Sequence, residues 1–184
     1  YGTDGRGAQF QRILRRPFSG DPTTTVSLVE KLTADDPGDT DRFGRHVATD
    51  GDVAIVGAYL DDCGSGVECG AAYVYRFNGS TWVQDAKLTA SDAAAGDKFG
   101  LSVSVSGDTA IVGALNDDCA AGSDCGAAYV YRFNGSAWAP EAKLTASDAA
   151  AGDLFGVSVS GSGDTVVVGA LNDDCAAGSD CGAA

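Results

Sequence analysis

A 56-residue repeat runs through this chain and constrains its fold more than any single residue does. The segment Lys87-Leu88-Thr89-Ala90 returns as Lys143-Leu144-Thr145-Ala146, and 37 of the 42 positions in 87–128 are identical in 143–184. A more diverged copy begins at Lys31. Because chains of this kind stack one supersecondary unit on the next, we expect a repeated architecture and not one asymmetric catalytic pocket.

The hydrophobic pattern of the central copy predicts four strands. Residues 99–106 alternate apolar and polar, which is typical of a strand with one buried face, and residues 109–114 are nearly all apolar, as in a strand covered on both faces. Residues 128–133 place three aromatic side chains on one face, and a fourth strand runs to residue 144. Asn134-Gly135 lies between the last two strands and predicts a type I′ turn, in which both central residues have positive φ.

Each unit is therefore expected to be an antiparallel meander of four strands joined by short hairpins. A single meander cannot bury both of its faces, so neighbouring units must pack face to face. Four strands in a repeat of this length are typical of a propeller blade, whereas a linear β-solenoid is the alternative. We predict an all-β fold: a β-propeller of four-stranded antiparallel blades that is incomplete in this chain.

The repeat also predicts how the chain is divided. The expected segments are a non-repeat basic head at 1–25, the last strand of a preceding blade with its linker at 26–42, blade 1 at 43–98, blade 2 at 99–154 and a partial blade 3 at 155–184. Residue 1 is Tyr, and residue 184 falls within a repeat. We therefore expect a fragment of a longer protein that contains further blades of the same propeller.

Charge and hydropathy exclude two classes of partner. The formal net charge of −14 argues against nucleic acid, because phosphate binding requires a basic face. No run of apolar residues approaches the length of a membrane span, so no span is expected in this chain.

The six cysteines form one pair per copy with identical spacing: Cys63/Cys69, Cys119/Cys125 and Cys175/Cys181. Each pair brackets the loop between the second and third strands, where antiparallel neighbours would hold the two Cα atoms at disulfide distance. Metal ligation and free thiols are the alternatives, although zinc and redox C-x-x-C spacings are absent. Local disulfides would imply an oxidising compartment, and hence a secreted or cell-surface protein.

Paired aspartates precede the first cysteine of each pair and are the candidate metal ligands. Calcium is the candidate ion, but it needs a convergent set of oxygens, and aspartates in loops commonly form Asx-turns instead. The candidates are Asp61, Asp62, Asp117, Asp118, Asp173 and Asp174.

No residue of the chain is predicted to be catalytic. His46 is the only histidine, and the other copies have Ser102 and Ser158 at its position. A general base is one interpretation of His46, and drift at a tolerant strand position is the other. Because no nucleophile or orienting partner is identifiable, the sequence favours a protein that is not an enzyme.

The repeat signature resembles a known family. Phe43-Gly44, Phe99-Gly100 and Phe155-Gly156 are followed at constant spacing by Gly57-Ala58, Gly113-Ala114 and Gly169-Ala170. This pattern resembles the FG-GAP repeat, the blade of the integrin α-subunit head and of many secreted bacterial proteins, and a secreted bacterial-type member is expected. The resemblance implies an extracellular adhesion or ligand-binding propeller, often with calcium.

The chain departs from the family pattern in the turns between the first two strands of each blade. The family's calcium loops carry a D-x-D-x-D-G run there, whereas this chain has only short turns at 49–52, 106–108 and 162–164. These turns are too short to wrap an ion that requires six to eight oxygens. The calcium sites implied by the resemblance are therefore not transferred to them.

The favoured function is a non-enzymatic extracellular module that binds a protein or glycan ligand. A structural spacer or scaffold is one alternative. An accessory propeller domain of a larger secreted hydrolase is the other.

Overall fold

The structure is a computed structural model that describes the backbone of residues 11–13 and the whole of residues 30–64, 66–175 and 178–184. Within these residues the chain forms strands, turns and loops and no helix. The strands, in chain order, are β1 (Gln11–Ile13), β2 (Glu30–Leu32), β3 (Val47–Asp50), β4 (Val53–Ala58), β5 (Ala71–Phe77), β6 (Trp82–Leu88), β7 (Phe99–Ser106), β8 (Thr109–Ala114), β9 (Ala127–Phe133), β10 (Trp138–Leu144), β11 (Phe155–Ser162) and β12 (Thr165–Ala170).

The sheets are antiparallel meanders in repeated units. Strands β3 to β6 form one four-stranded sheet and β7 to β10 form a second, each in sequence order. Strands β11 and β12 repeat the first two strands of this pattern, and β1 pairs antiparallel with β2. The all-β prediction is confirmed, and the unclosed array of sheets is consistent with an incomplete β-propeller. We use blade 1, blade 2 and blade 3 for the sheets that begin with β3, β7 and β11.

Parts of the predicted division lie outside the described residues. The head at 1–25 is described only as the backbone of β1, and the strand predicted from residue 26 is described from Glu30 onwards. None of the described residues forms a helix with the length and apolar character that crossing a membrane would require.

The second strand of each complete blade is buried along its whole length. All six residues of β4 and all six of β8 are buried, as their continuous apolar sequences predict. They are central strands with a neighbouring strand on each side. One face of β4 packs against blade 2, and the other packs against Leu32 and Phe43, which precede the blade. Ile55 and Val74 of blade 1 share one core cluster with Phe99, Val112 and Tyr129 of blade 2. The core therefore lies between blades.

The hairpin between the third and fourth strands is not the two-residue type I′ turn predicted from Asn-Gly. Strand β9 ends at Phe133 and β10 begins at Trp138, so a four-residue loop joins them, and within it only Gly135 has positive φ, at 94°. The Asn134 Oδ1 accepts the backbone N–H groups of Ser136 and Ala137, both at 3.0 Å. This Asx-type arrangement gives a wider turn. The Asn134 side chain accepts backbone N–H groups that would bond to the opposite strand in a two-residue hairpin.

The two glycines of the Phe-Gly and Gly-Ala signatures meet between adjacent blades. A Cβ atom placed on Gly57 would lie 1.9 Å from the carbonyl oxygen of Gly100, and one on Gly113 would lie 2.0 Å from that of Gly156. Gly100 and Gly156 both have φ of +89°, a conformation that residues with a Cβ rarely adopt. We call the Gly57–Gly100 and Gly113–Gly156 contacts the glycine seam. It explains the signature, because only glycine permits the two backbones to approach so closely.

Candidate functional site

Each described blade carries a disulfide in the loop after its second strand. The bonds join Cys63 to Cys69, Cys119 to Cys125 and Cys175 to Cys181, with S–S distances of 1.99, 2.04 and 2.03 Å. The Cα–Cα distances are 5.8, 5.8 and 5.7 Å, which agrees with the expectation that the adjoining strands hold the cysteines close. The three local disulfides expected from the spacing are thus present, and such bonds are typical of an oxidising environment.

The disulfide loop of one blade is hydrogen-bonded to the beginning of the next blade. In blade 1 the carbonyl oxygens of Val67, Glu68 and Cys69 accept the N–H groups of Gly96, Lys98 and Phe99 at 3.0, 3.2 and 2.9 Å. The loop of blade 2 makes the equivalent three bonds to the beginning of blade 3, from carbonyl oxygens of residues 123–125. The disulfide therefore fixes a loop that forms part of the junction between blades.

Removing the second disulfide tests this role. We expect the paired replacement of Cys119 and Cys125 by serine to lower the free energy of unfolding by about 2 kcal/mol from loop-closure entropy alone. Fraying of the bonds to blade 3 would add to this loss. Urea unfolding followed by circular dichroism measures it.

The matched control is the paired replacement of Cys175 and Cys181 by serine. This loop has the same length, but among the described residues no following blade is bonded to it. We expect a smaller loss than for Cys119 and Cys125. Equal losses from the two pairs would show that the disulfide acts only on its own loop.

A buried aspartate beside each disulfide loop is held by a tyrosine and a lysine of the same blade. In blade 1 the Asp61 carboxylate accepts the Tyr73 hydroxyl at 2.8 Å and lies 2.9 Å from the Lys87 Nζ. Asp36, in the linker that precedes the blade, accepts the same hydroxyl at 2.9 Å and the same ammonium at 2.8 Å. The Asp61 side chain is only 6 % exposed. The cluster therefore ties the incoming linker to the strands of the blade.

Blade 2 repeats this cluster with the equivalent residues. Asp117 accepts the Tyr129 hydroxyl at 2.5 Å and lies 2.8 Å from the Lys143 Nζ. Asp92 in the preceding linker accepts the same two donors, each at 2.7 Å. We call Asp36–Asp61–Tyr73–Lys87 and Asp92–Asp117–Tyr129–Lys143 the acid–tyrosine–lysine clusters.

The clusters shift the pKa values of their members in the directions expected for ionised partners. Burial opposes the ammonium form, but the hydrogen bonds that each ammonium donates to its two carboxylates outweigh it and raise the pKa of Lys87 and of Lys143. Burial likewise opposes ionisation of Asp36 and Asp92, but bonds from the lysine and the tyrosine lower the pKa of both. Burial and the adjacent carboxylates raise the pKa of the Tyr73 and Tyr129 hydroxyls, so both act as donors.

The second aspartate of each pair closes the disulfide loop. The Oδ1 atoms of Asp62, Asp118 and Asp174 accept the backbone N–H groups of Glu68, Asp124 and Asp180, each at 3.0 Å. Glu68, Asp124 and Asp180 have positive φ of 58°, 58° and 55°. The aspartate thus satisfies a backbone donor in a strained turn, as an Asx-type motif does.

Five of the six candidate metal ligands have identified side-chain contacts, the exception being Asp173. In blades 1 and 2 the first aspartate contacts an ammonium group, and the second contacts a backbone N–H group. Across the described ranges, no group of three or more His, Cys, Asp and Glu side chains is arranged to hold a metal ion. In blades 1 and 2 the first aspartates thus surround an ammonium group and do not form the convergent oxygen cage that calcium requires.

In blade 3 the first aspartate has carboxylates for neighbours. Burial, followed by the charges of Asp148, Asp153 and Asp174, raises the pKa of Asp173. Asp148 and Asp173 are equivalent to Asp92 and Asp117, but in the part of the chain that the structure describes no hydrogen bond or ion pair joins them to a tyrosine or a lysine.

The sequence did not single out the tyrosine and lysine of these clusters. The available signal was their constant spacing, because the tyrosine follows the buried aspartate by 12 residues and the lysine follows it by 26 in both copies. The sequence indicated only that the tyrosines share one face of their strand and that the lysines begin the repeated segments. Their shared contact with a carboxylate depends on strand pairing, which local patterns do not specify.

His46 is exposed and takes no part in the clusters. Partial burial and the charge of Arg45 lower its pKa. Its ring therefore favours the neutral form, and nothing in its described contacts gives it a catalytic role.

The outer strands contribute a separate contact between blades. The Trp138 Nε1 of blade 2 donates to the Asp85 Oδ2 of blade 1 at 3.0 Å. The Arg76 guanidinium carbon of blade 1 lies 4.2 Å from the centre of the Phe133 ring of blade 2. Arg76 and Asp85 form an ion pair in blade 1, and this pair therefore packs against two aromatic side chains of blade 2. The position of Arg76 over the ring favours cation–π attraction.

Repeated four-stranded sheets joined through a glycine seam define a β-propeller-type repeat module. Comparison with protein families gives the same class, since the model of the FG-GAP repeat matches residues 26–75, 82–131 and 138–184. The chain belongs to the FG-GAP repeat family. The central match extends from β6 through β9, so one family repeat contains the outer strand of one blade and three strands of the next. No curated protein matches the chain.

Proposed function

We propose that the protein is a non-enzymatic module of a secreted or cell-surface protein and that it binds an extracellular protein or glycan. Propeller domains of FG-GAP repeats are generally non-catalytic, and the disulfides favour an oxidising compartment. The ligand-binding surface that the geometry supports best is the end of the blades opposite the disulfide loops.

The observation that carries this proposal is the difference between the two ends of each blade. At the disulfide end, the loops and linkers are bonded to one another through the clusters and the blade junctions. At the other end, two connections of each complete blade lie together, since the Phe77 N–H donates to the Asp52 carbonyl oxygen and the Phe133 N–H to that of Asp108, both at 2.8 Å. We call residues 50–52, 78–81, 106–108, 134–137 and 162–164 the turn rim.

Most of the turn rim is exposed and polar, which suits it for contact with a ligand. Asp52, Asp108 and Asp164 are exposed on successive blades, and so are Asn78 and Asn134. These side chains recur at the spacing of the blades, so the rim presents a periodic row of carboxylates and amides. Such a row suits an extended protein segment or a glycan with donor groups, because exposed polar loops on a rigid scaffold commonly carry recognition.

Binding of the 184-residue chain to immobilised extracellular-matrix proteins and to a glycan array tests the proposal. We expect a saturable signal that the paired replacement of Asp108 and Asn134 by alanine abolishes. Replacement of Asp180 by alanine at the disulfide end is the control and should leave binding unchanged. If no member of either panel binds, or if binding survives the turn-rim variant, the proposal is wrong and the scaffold alternative is favoured.

A calcium requirement is tested separately by thermal melting in millimolar calcium and in chelator. We expect the same melting temperature in both, because the first aspartates of blades 1 and 2 already have ammonium partners. A ligand that binds the native state raises its stability by mass action. A higher melting temperature in calcium would therefore show that the acidic loops hold the ion.

A further inference from the structure

The loop between the third and fourth strands carries the same exposed tripeptide in both complete blades. It reads Asn78-Gly79-Ser80 in blade 1 and Asn134-Gly135-Ser136 in blade 2, and all six residues are exposed. In secreted proteins, Asn-x-Ser is the acceptor sequence for an asparagine-linked glycan when x is not proline. The same residues also suit a turn, so the sequence alone does not separate a turn from an acceptor site.

The structure places the two ends of each asparagine amide in different surroundings. The Asn134 Oδ1 accepts the backbone N–H groups of Ser136 and Ala137, and the Asn78 Oδ1 accepts the two equivalent groups, each at 3.0 Å. Because two N–H donors require an acceptor, the atom held within the turn is the oxygen. Neither Nδ2 atom forms a hydrogen bond with a described residue. The nitrogen to which a glycan is attached therefore lies outside the bonds of the turn.

The hydroxyl of the acceptor sequence and the space around the turn also suit modification. The Ser136 Oγ donates to the Asn134 Oδ1 at 2.8 Å, so the hydroxyl that the sequence requires lies at the amide itself. A Cβ atom placed on Gly79 or on Gly135 would have no heavy atom within 4 Å apart from the adjoining residues. The tip of each loop is therefore open to a large substituent.

We propose that Asn78 and Asn134 are sites of asparagine-linked glycosylation and that the donor is an oligosaccharide carried on a lipid diphosphate. The bond between the anomeric carbon and the diphosphate oxygen breaks, and its electron pair leaves with the diphosphate. Nδ2 bonds to the anomeric carbon and loses one proton to a basic group of the transferase. The product retains the amide carbonyl, so Oδ1 continues to accept both backbone N–H groups of the turn.

The two sites lie at equivalent positions of successive blades, within the turn rim. Glycans attached there would project from the end opposite the disulfide loops and would leave the junctions between blades uncovered. The inference rests on the secretory route of the proposed function, and it does not require a ligand at the turn rim. Glycan occupancy is measured by mass and not by ligand binding, so its failure is distinguishable from failure of the proposed function.

Secretion of the 184-residue chain from cultured eukaryotic cells, directed by an added signal peptide, tests the inference. Peptide mapping by mass spectrometry should find a glycan on Asn78 and on Asn134. It should find none on Asn116, which two aspartates follow. Ser136→Ala should abolish the glycan at Asn134 without changing that at Asn78, whereas Ser136→Thr should retain both.

Thermal melting tests whether the glycan is compatible with the folded turn. With each glycan trimmed to its first sugar, the melting temperature should equal that of the same chain made without glycan. Asn134→Ala removes the acceptor of two backbone N–H groups and should lower the melting temperature by about 2–4 °C. The proposal is overturned if neither asparagine is glycosylated or if Ser136→Ala leaves the glycan at Asn134. It is also overturned if the glycan lowers the melting temperature as much as Asn134→Ala does.

Discussion

Replacing Gly113 by alanine is expected to destabilise the chain by about 3 kcal/mol, the upper range for overpacking a rigid core. The new Cβ would lie 2.0 Å from the Gly156 carbonyl oxygen and 2.3 Å from the Ser102 Oγ. The first of these atoms belongs to the backbone, so relief requires blades 2 and 3 to move apart. Urea unfolding of the variant and of the unaltered chain measures the loss.

Gly169→Ala is the matched control for this variant. It changes the same position of the repeat in blade 3, where the new Cβ would approach only the Ser158 Oγ closely, at 2.6 Å. A hydroxyl can rotate away, so we expect a loss below about 1 kcal/mol, as for a tolerated surface change. Similar losses for Gly113→Ala and Gly169→Ala would mean that the glycine is required within its own strand and not at the seam.

Replacing Lys143 by methionine is expected to lower the free energy of unfolding by about 2 kcal/mol. Removing one partner of a fully buried ion pair costs about 3–5 kcal/mol, and we reduce this because Lys143 is partly exposed. The Asp117 side chain is 7 % exposed, and of its two partners in the cluster it would keep only the Tyr129 hydroxyl. Chemical unfolding at neutral pH measures the loss.

The control is Arg132→Met, which removes an ion pair from the same sheet. The Arg132 and Glu141 side chains are 53 % and 44 % exposed, so we expect a change within about 0.5 kcal/mol. If Arg132→Met and Lys143→Met cost the same, burial of Asp117 has no energetic consequence, and the cluster is not a stabilising feature.

Acid should reduce the effect of Lys143→Met. The folded chain lowers the pKa of Asp92 from its ordinary value of 3.8. The contribution of ionised Asp92 to the free energy of unfolding is therefore fully present above pH 3.8, and it is lost as the pH falls through the lower pKa of the folded chain. In that acidic range the unaltered chain loses the advantage that Lys143 provides. The difference in unfolding free energy between the two proteins should therefore narrow on acidification.

The strands and disulfides could be predicted because their signals are local in sequence. The alternation in 99–106 and the apolar run in 109–114 each specify which faces are buried, and the structure has strands at those positions. Cys119 and Cys125 are six residues apart in a loop between paired strands, so their bond follows from the meander itself. Hydrophobic periodicity and short cysteine spacing are therefore sufficient to predict the strands and the disulfides.

The contacts between blades could not be predicted in this way. Gly100 lies 43 residues after Gly57, and the signature marks both positions without indicating that they touch. The partners of Asp117 are likewise brought to it by pairing of β8 with β9 and of β9 with β10. The Asn134 turn was assigned wrongly because its side chain, and not its backbone φ, determines the loop. The glycine seam and the partners of Asp117 thus depend on long-range pairing, and the Asn134 turn depends on side-chain capping. Local sequence patterns specify neither.

The amide exchange of Phe99 and Phe155 tests most directly whether disulfide loops hold adjacent blades together. Their N–H groups donate to the carbonyl oxygens of Cys69 and Cys125, each at 2.9 Å. With the disulfides intact, both amides should exchange slowly. On reduction they should exchange much faster, while Val112 within β8 stays protected. Unchanged protection of Phe99 and Phe155 after reduction, or loss of protection at all three amides together, would contradict the account.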